Sequence, residues 1–76
     1  MTWTIGRILN WTTEHFQQKT IPSARLDAEL LLSNALNLKR LDLYMNFERP
    51  LSEQELERYR SFVKRRLQRE PVAYIL

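Results

Sequence analysis

Half of the basic residues in this 76-residue chain lie in one short segment near its end. They are Arg58, Arg60, Lys64, Arg65, Arg66 and Arg69. The net charge of the whole chain is only +3, so the position of the charge is more informative than its total. Arginine and lysine side chains bind phosphates and carboxylates, so the segment could contact RNA or an acidic protein surface. The residues that we select for such contacts are Arg58, Lys64, Arg65 and Arg69.

The same basic residues also fit a purely structural interpretation. An apolar stripe at helical spacing runs along the segment, and Arg58, Arg65 and Arg69 fall on the face opposite to it. A charged outer face is expected of any surface helix, and a pair such as Glu57 with Arg60 would help to stabilise it. We favour this solvated face over a binding surface and keep both interpretations open.

The chain lacks the residue patterns of a catalytic, cofactor or metal site. It contains one glycine, one histidine and no cysteine, which excludes glycine-rich nucleotide loops, zinc fingers, disulfides and thiol nucleophiles. His15 lies one turn after Trp11, and we interpret it as a half-exposed neighbour of the core rather than as a metal ligand. We therefore predict no catalytic, cofactor-binding or metal-binding residue in these 76 residues.

Composition also limits where the protein works. No apolar run approaches the roughly 20 residues that a membrane-spanning helix needs, and the N-terminus lacks the pattern of a signal peptide. The absence of cysteine fits the reducing interior of a cell. We expect a cytoplasmic protein with no membrane and no metal partner.

The elements that position these residues read as a small all-α bundle of four to five helices. Low glycine content disfavours tight hairpins and favours helices with short joints. The predicted helices cover about residues 4–18, 23–37, 39–46 and 52–69. Thr4, Ser23 and Ser52 have the side chains of N-caps, and Ser52 with Glu55 forms a capping-box pattern. Asn37 is a suitable left-handed terminator for the second helix.

The second helix is apolar on more than one side, which predicts that it lies at the centre of the bundle. Leu26 and Leu30 project almost opposite to its main apolar face. Asp27 and Glu29 lie on the same helix, and buried carboxylates need partners. Arg66, which borders the apolar stripe of the last helix, could pair with one of them.

Two further predictions concern the short third helix and the tail. Leu41 and Tyr44 are expected to point inward, together with Leu43 and Phe47. Residues 71–76, PVAYIL, are apolar, β-branched and aromatic, so we expect an extended segment that starts the first strand of another domain. On this interpretation residues 1–70 form one domain, and the sequence was cut at a domain boundary.

Three stretches resemble the N-terminal domain of the HemK/PrmC family. They are SARLDAELLL at residues 23–32, KRLDLY at residues 39–44, and RR at residues 65–66 followed by EPVAYIL at residues 70–76. The resemblance covers nearly the whole chain and is strongest at DAELLL and EPVAYIL. Two small departures occur where the family often has glycine and a small polar residue, at Asn37 and Lys39, and both affect only a joint between helices.

The resemblance implies the N-terminal domain of a protein-glutamine methyltransferase that acts in translation termination. In that family a linker joins the helical domain to a Rossmann-like domain, which binds S-adenosylmethionine and carries the Asn-Pro-Pro-Tyr motif. Neither that motif nor the cofactor loop occurs here, so no catalytic or cofactor residue is carried over. The helical domain would dock class 1 peptide chain release factors, so that their Gly-Gly-Gln loop reaches the active site, and would also contact its own catalytic domain.

Two alternatives to this function remain open. One is a helical RNA-binding or ribosome-associated module that uses the basic face of the last helix. The other is a folding and scaffolding domain with no partner beyond its own catalytic domain. Under the docking hypothesis, nucleic acid would be contacted only indirectly.

Overall fold

The computed structural model describes residues 2–76 and confirms the all-α prediction over that range. The helices are α1 (Ile5–Gln18), α2 (Ala24–Leu36), α3 (Arg40–Met45), α4 (Glu53–Leu67) and α5 (Val72–Ile75). Within the same residues, the β-type pairing consists of a single bridge between Thr4 and Pro50. This bridge places the start of α1 beside the start of α4.

The helix ends follow the sequence signals with one exception. The Thr4 hydroxyl accepts a hydrogen bond from the Arg7 backbone N–H (3.2 Å), and Asn37 ends α2 in the left-handed conformation (φ 57°). Ser52 and Glu55 form the predicted capping box, with bonds of 3.1 and 2.9 Å. Ser23 occupies the predicted N-cap position of α2, but its side chain makes no cap bond. Its ψ of 43° departs from the extended backbone that an N-cap adopts.

The second helix lies at the centre of the bundle, as predicted, and α1, α3, α4 and α5 all pack against it. Its main apolar face is fully buried, with Ala28, Leu31 and Leu32 at 0% exposure. The prediction that a second apolar side of α2 is buried is wrong in part, because Leu26 is 43% exposed. Polar side chains take much of the remaining buried surface, and their hydrogen bonds offset the cost of burying them.

Both buried acids of α2 have partners. Asp27 of α2 pairs with Arg66 of α4, with 3.0 Å between Oδ2 and Nε, which confirms one of the two predicted pairings. Glu29 instead accepts hydrogen bonds from Arg40 (2.9 Å) and from the Tyr44 hydroxyl. Burial raises the pKa of Glu29, but the bonds from Tyr44 and Arg40 outweigh burial and hold the pKa below its usual value.

The bonds to Glu29 explain why two predictions for α3 are wrong. Leu41 is 71% exposed and Tyr44 is 44% exposed, whereas Leu43 is fully buried. A six-residue helix presents one narrow face to the bundle, and Leu43 occupies that face. Tyr44 lies at the rim, where its hydroxyl reaches Glu29.

The tail is also not extended, contrary to the sequence prediction. Residues Val72–Ile75 form a short helix, and the turn lets Ile75 reach the core, where it is 6% exposed. Arg65 holds this turn from α4, with bonds to the Glu70 carboxylate (2.7 Å) and to the Tyr74 carbonyl (3.3 Å). Packing therefore overrides the β-propensity of these residues, which is a weak preference of about 1 kcal/mol in total range.

None of the helices described over residues 2–76 combines the length and the hydrophobicity needed to cross a membrane.

Candidate partner-binding surface

The structure shows what the four predicted binding residues contact. Arg58 donates from Nη1 to the Ala35 carbonyl near the end of α2 (3.0 Å). Arg69 donates from Nη2 to the Lys19 carbonyl just after α1 (2.9 Å). Arginines near helix C-termini satisfy carbonyls that the helix itself leaves free. Both side chains therefore have a structural function, although both residues also remain exposed to solvent.

The remaining two predicted residues differ from each other. Arg65 is paired with Glu70 at 2.7 Å, and its hydrogen bond lowers the pKa of that carboxyl. Lys64 is exposed and has neither a hydrogen bond nor a salt bridge to any side chain in the described range 2–76. The bases of α4 are therefore divided between internal contacts and solvent, and they do not form one unpaired cluster. Their part in binding stays a prediction.

A groove between α1 and α4 is a feature that the sequence did not predict. Both helices pack against α2, and their starts are joined by a hydrogen bond from the Leu51 N–H to the Trp3 carbonyl (2.9 Å). Their ends are joined by the bond from Arg69 to Lys19. The two helices therefore run in the same direction, and between the joined ends they leave a cavity of about 240 Å³. Its lining consists of Trp3, Ile8, Trp11, Thr12, Leu56, Tyr59, Arg60 and Val63.

Aromatic side chains form one wall of this groove. Trp3 and Trp11 meet edge to face, with ring centroids 6.1 Å apart and planes at 67°. The His15 ring stacks on the Trp11 indole, with 4.9 Å between the ring centroids. Trp11 nevertheless remains 48% exposed. The result is an aromatic wall that is open to solvent.

Tyr59 is almost completely buried beneath the groove, at 1% exposure. Its hydroxyl lies 3.5 Å from the Ala28 carbonyl, and burial raises its pKa well above the usual value. A phenol in this state is neutral at any physiological pH and does not act as a base. The floor of the groove is therefore uncharged, and the charge at its edge comes from Arg60.

One residue type in the sequence weakly indicates the groove. Trp11 lies beside the buried face of α1, at the edge of the core. The indole contacts Trp3 and His15 at that edge, but about half of its surface remains exposed. A large aromatic residue on a helix shoulder, opposite an arginine of another helix, would have been the available clue.

The groove is an apolar surface with few polar groups. Residues 2–76 contain no group of three or more histidine, aspartate or glutamate side chains placed to hold a metal ion. The one glycine, Gly6, is buried in α1 against Phe47 and does not lie in a loop. The structure offers an apolar groove with a basic edge, which suits recognition of another molecule.

Comparison with known sequences identifies the family. The sequence profile of the PrmC N-terminal domain matches residues 7–76. The chain belongs to this family. A release factor glutamine methyltransferase of Geobacter sulfurreducens is 49% identical over 74 residues, which are 97% of this chain and 26% of that protein. A release factor glutamine methyltransferase of Leptospira interrogans is 50% identical over 68 residues, which are 90% of this chain and 24% of that protein.

The similarity extends to a protein with a broader name. A bifunctional methyltransferase of Rickettsia felis is 32% identical over 76 residues, which are all of this chain and 14% of that protein. This PrmC N-terminal domain thus spans about a quarter or less of the relatives that it matches. No solved structure matched the chain. The family assignment agrees with the resemblance at DAELLL and EPVAYIL.

Proposed function

We propose that this chain is the substrate-docking domain of a release factor glutamine methyltransferase. The relatives with that name are about four times as long as the chain, and this helical domain matches about a quarter of each. In this proposal the rest of such a protein carries the chemistry. The domain described here binds a class 1 peptide chain release factor and thereby helps to place its Gly-Gly-Gln glutamine in the active site.

The observation that supports this division is the absence of reactive groups together with the presence of a surface groove. The titratable side chains that are buried in residues 2–76 make structural bonds. Examples are the pair of Asp27 with Arg66 and the pair of Glu29 with Arg40. The groove beside α1 and α4 is open, apolar and edged by Arg60. A remote module of this kind raises the rate by holding two reactants in the right geometry, which is worth several kcal/mol when it is done well.

The methyl donor in this proposal is S-adenosylmethionine, bound by the catalytic domain and not by this chain. Docking of a protein partner also fits the cytoplasm, where translation termination takes place. The second docking partner is the catalytic domain itself. The isolated chain should therefore bind the protein substrate and fail to bind the cofactor.

Isothermal titration calorimetry with the 76-residue chain tests the proposal. We expect weak binding of a class 1 release factor and no heat of binding from S-adenosylmethionine. Tight cofactor binding, or no detectable binding of the release factor at low salt, would overturn it.

The same calorimeter tests the alternative of an RNA-binding module. RNA affinity that falls steeply with salt would favour that alternative, because each phosphate contact releases bound counterions. The internal bonds of Arg58, Arg65 and Arg69 argue against it, since those side chains are already positioned by the protein itself. We expect no measurable RNA binding at low salt, which would remove this alternative.

A further inference from the structure

We propose that the groove between α1 and α4 is an anchor site for one or two apolar side chains of the partner protein. Carboxylates flank these side chains on the partner. This inference rests on the proposed docking function and names the part of the domain that performs it. The partner chemistry follows from the shape of the groove, the composition of its walls and the charge around its edge.

The size of the groove fits side chains rather than a whole helix. The lining on α4 runs from Leu56 to Val63, which is about 10 Å along a helix at a rise of roughly 1.5 Å per residue. A closed apolar cavity of roughly 150 Å³ is enough to hold a benzene molecule. The groove, at about 240 Å³, therefore accommodates one aromatic or two smaller aliphatic side chains.

The walls of the groove suit an apolar occupant. Trp3, Trp11, Ile8 and Val63 present ring and methyl surfaces, and the polar groups beneath them are already bonded. For example, the Thr12 hydroxyl donates to the Ile8 carbonyl at 2.7 Å and is not free for a ligand. Aromatic residues in such pockets carry most of the binding energy at protein interfaces, because they bury a large area with few rotatable bonds.

The charges around the groove select for acids beside the anchor. Arg60 lines the groove and Lys64 follows it by one turn, while Lys19 lies at the far end, where its carbonyl binds Arg69. The acids nearby are Glu57, which contacts Arg60 at 3.6 Å with both side chains largely exposed, and Glu14 behind Trp11. An exposed pair of this kind is weak, so Arg60 is free to change partner. Among residues 2–76, Arg60 is the one charged residue that lines the groove, so the edge presents a positive charge that complements carboxylates.

The two tryptophans of the chain both line the groove, which gives a direct spectroscopic report of its occupation. In the nitrogen-15-labelled 76-residue chain, each indole N–H gives one resonance, and Trp3→Phe and Trp11→Phe variants assign the two. We expect both indole resonances to shift on addition of a class 1 release factor. The chain alone, measured over a hundredfold range of concentration, should show no such shift.

Paired variants separate the groove from the rest of the surface. Trp11→Ala removes half of the aromatic wall, and Arg60→Glu inverts the charge at its edge. The matched controls are Leu41→Ala, an exposed apolar side chain on α3, and Lys39→Glu, an exposed base before α3. We expect each groove variant to weaken release factor binding by about tenfold or more, and each control to stay within about twofold of the unmodified chain.

The outcomes distinguish this inference from the function on which it rests. If the release factor binds but the indole resonances do not move, or the groove variants bind like their controls, the anchor site is wrong and docking still stands. Indole shifts that depend on concentration in the chain alone would assign the groove to a second copy and also overturn the inference. If no release factor binding is seen at all, the proposed function fails first.

Discussion

The buried pair between Asp27 and Arg66 should couple α2 to α4 energetically. The two side chains are only 9% and 17% exposed, and they join residues that lie 39 positions apart in the chain. Replacing either residue alone with alanine leaves the other charge buried without its partner. Replacing both removes the charge together with its partner, so the double variant should be less damaged than the two single variants predict.

The magnitude follows from the burial of the pair. Removal of one partner from a buried ion pair costs about 3–5 kcal/mol, and the partial exposure of Arg66 favours the lower end of that range. A 76-residue domain has a total stability of about 4–11 kcal/mol at typical values per residue. Each single variant should therefore lose a large fraction of its stability. The coupling energy between the two sites should be about 2 kcal/mol, within the range of about 0.5–3 kcal/mol for contacting residues.

Urea denaturation followed by circular dichroism measures these free energies of unfolding. Asp27→Asn serves as a milder version if the alanine variant does not fold, because the amide can still accept a hydrogen bond from Arg66. The matched control is the exposed pair of Glu57 and Arg60, which are 3.6 Å apart, 74% and 63% exposed, and should couple by less than about 0.5 kcal/mol. Simple additivity at the buried pair, or equal coupling at the two pairs, would refute the reasoning.

Three further changes test other parts of the fold. Gly6→Ala should destabilise the domain by about 1–3 kcal/mol in urea denaturation, because the new Cβ would lie 2.9 Å from Phe47 Cγ and closer to other ring atoms. The lowered pKa of Glu29 means that its contribution is complete above about pH 4.5, its usual value, and is lost as the pH falls through the lower folded-state pKa. The loss of stability on acidification should therefore be smaller in Glu29→Gln, and an unchanged profile would contradict this. Tyr59→Phe should change stability by less than about 1.5 kcal/mol, since the hydroxyl bond that it removes is long at 3.5 Å.

Much of the bundle could be predicted because its signals are local. Helix ends are set by bonds between residues three or four positions apart. Such bonds occur at Thr4 and Ser52, where helices begin, and at Asn37, where α2 ends. The apolar face of α2 is a property of one helix and predicts its own burial. The pairing of Asp27 with Arg66 could also be predicted, because a buried carboxylate requires a partner and few bases border the core.

The features that escaped prediction depend on how separate elements meet. Residues 71–76 have strand-like composition, yet Arg65 and the core contact of Ile75 fix them as a helical turn. Tyr44 is amphipathic, and its position at the rim depends on Glu29, which lies 15 residues earlier in the sequence. Neither arrangement can be derived from periodicity within one helix.

In the candidate site too, some features could be predicted from the sequence and others depend on how the helices meet. The sequence identified the bases in and just after α4, but the bonds of Arg58 to Ala35 and of Arg69 to Lys19 involve carbonyls whose positions only the fold provides. The groove is likewise absent from any single helix. It arises because α1 and α4 are joined at both ends and remain apart between those ends.

The central claim is that this domain docks a release factor and takes no part in the chemistry. The most direct test is a two-dimensional amide spectrum of the nitrogen-15-labelled chain, recorded with a class 1 release factor and separately with S-adenosylmethionine. The account predicts shifts that cluster on residues of α1 and α4 with the release factor, and an unchanged spectrum with the cofactor. An unchanged spectrum with the release factor, or shifts caused by the cofactor, would contradict it.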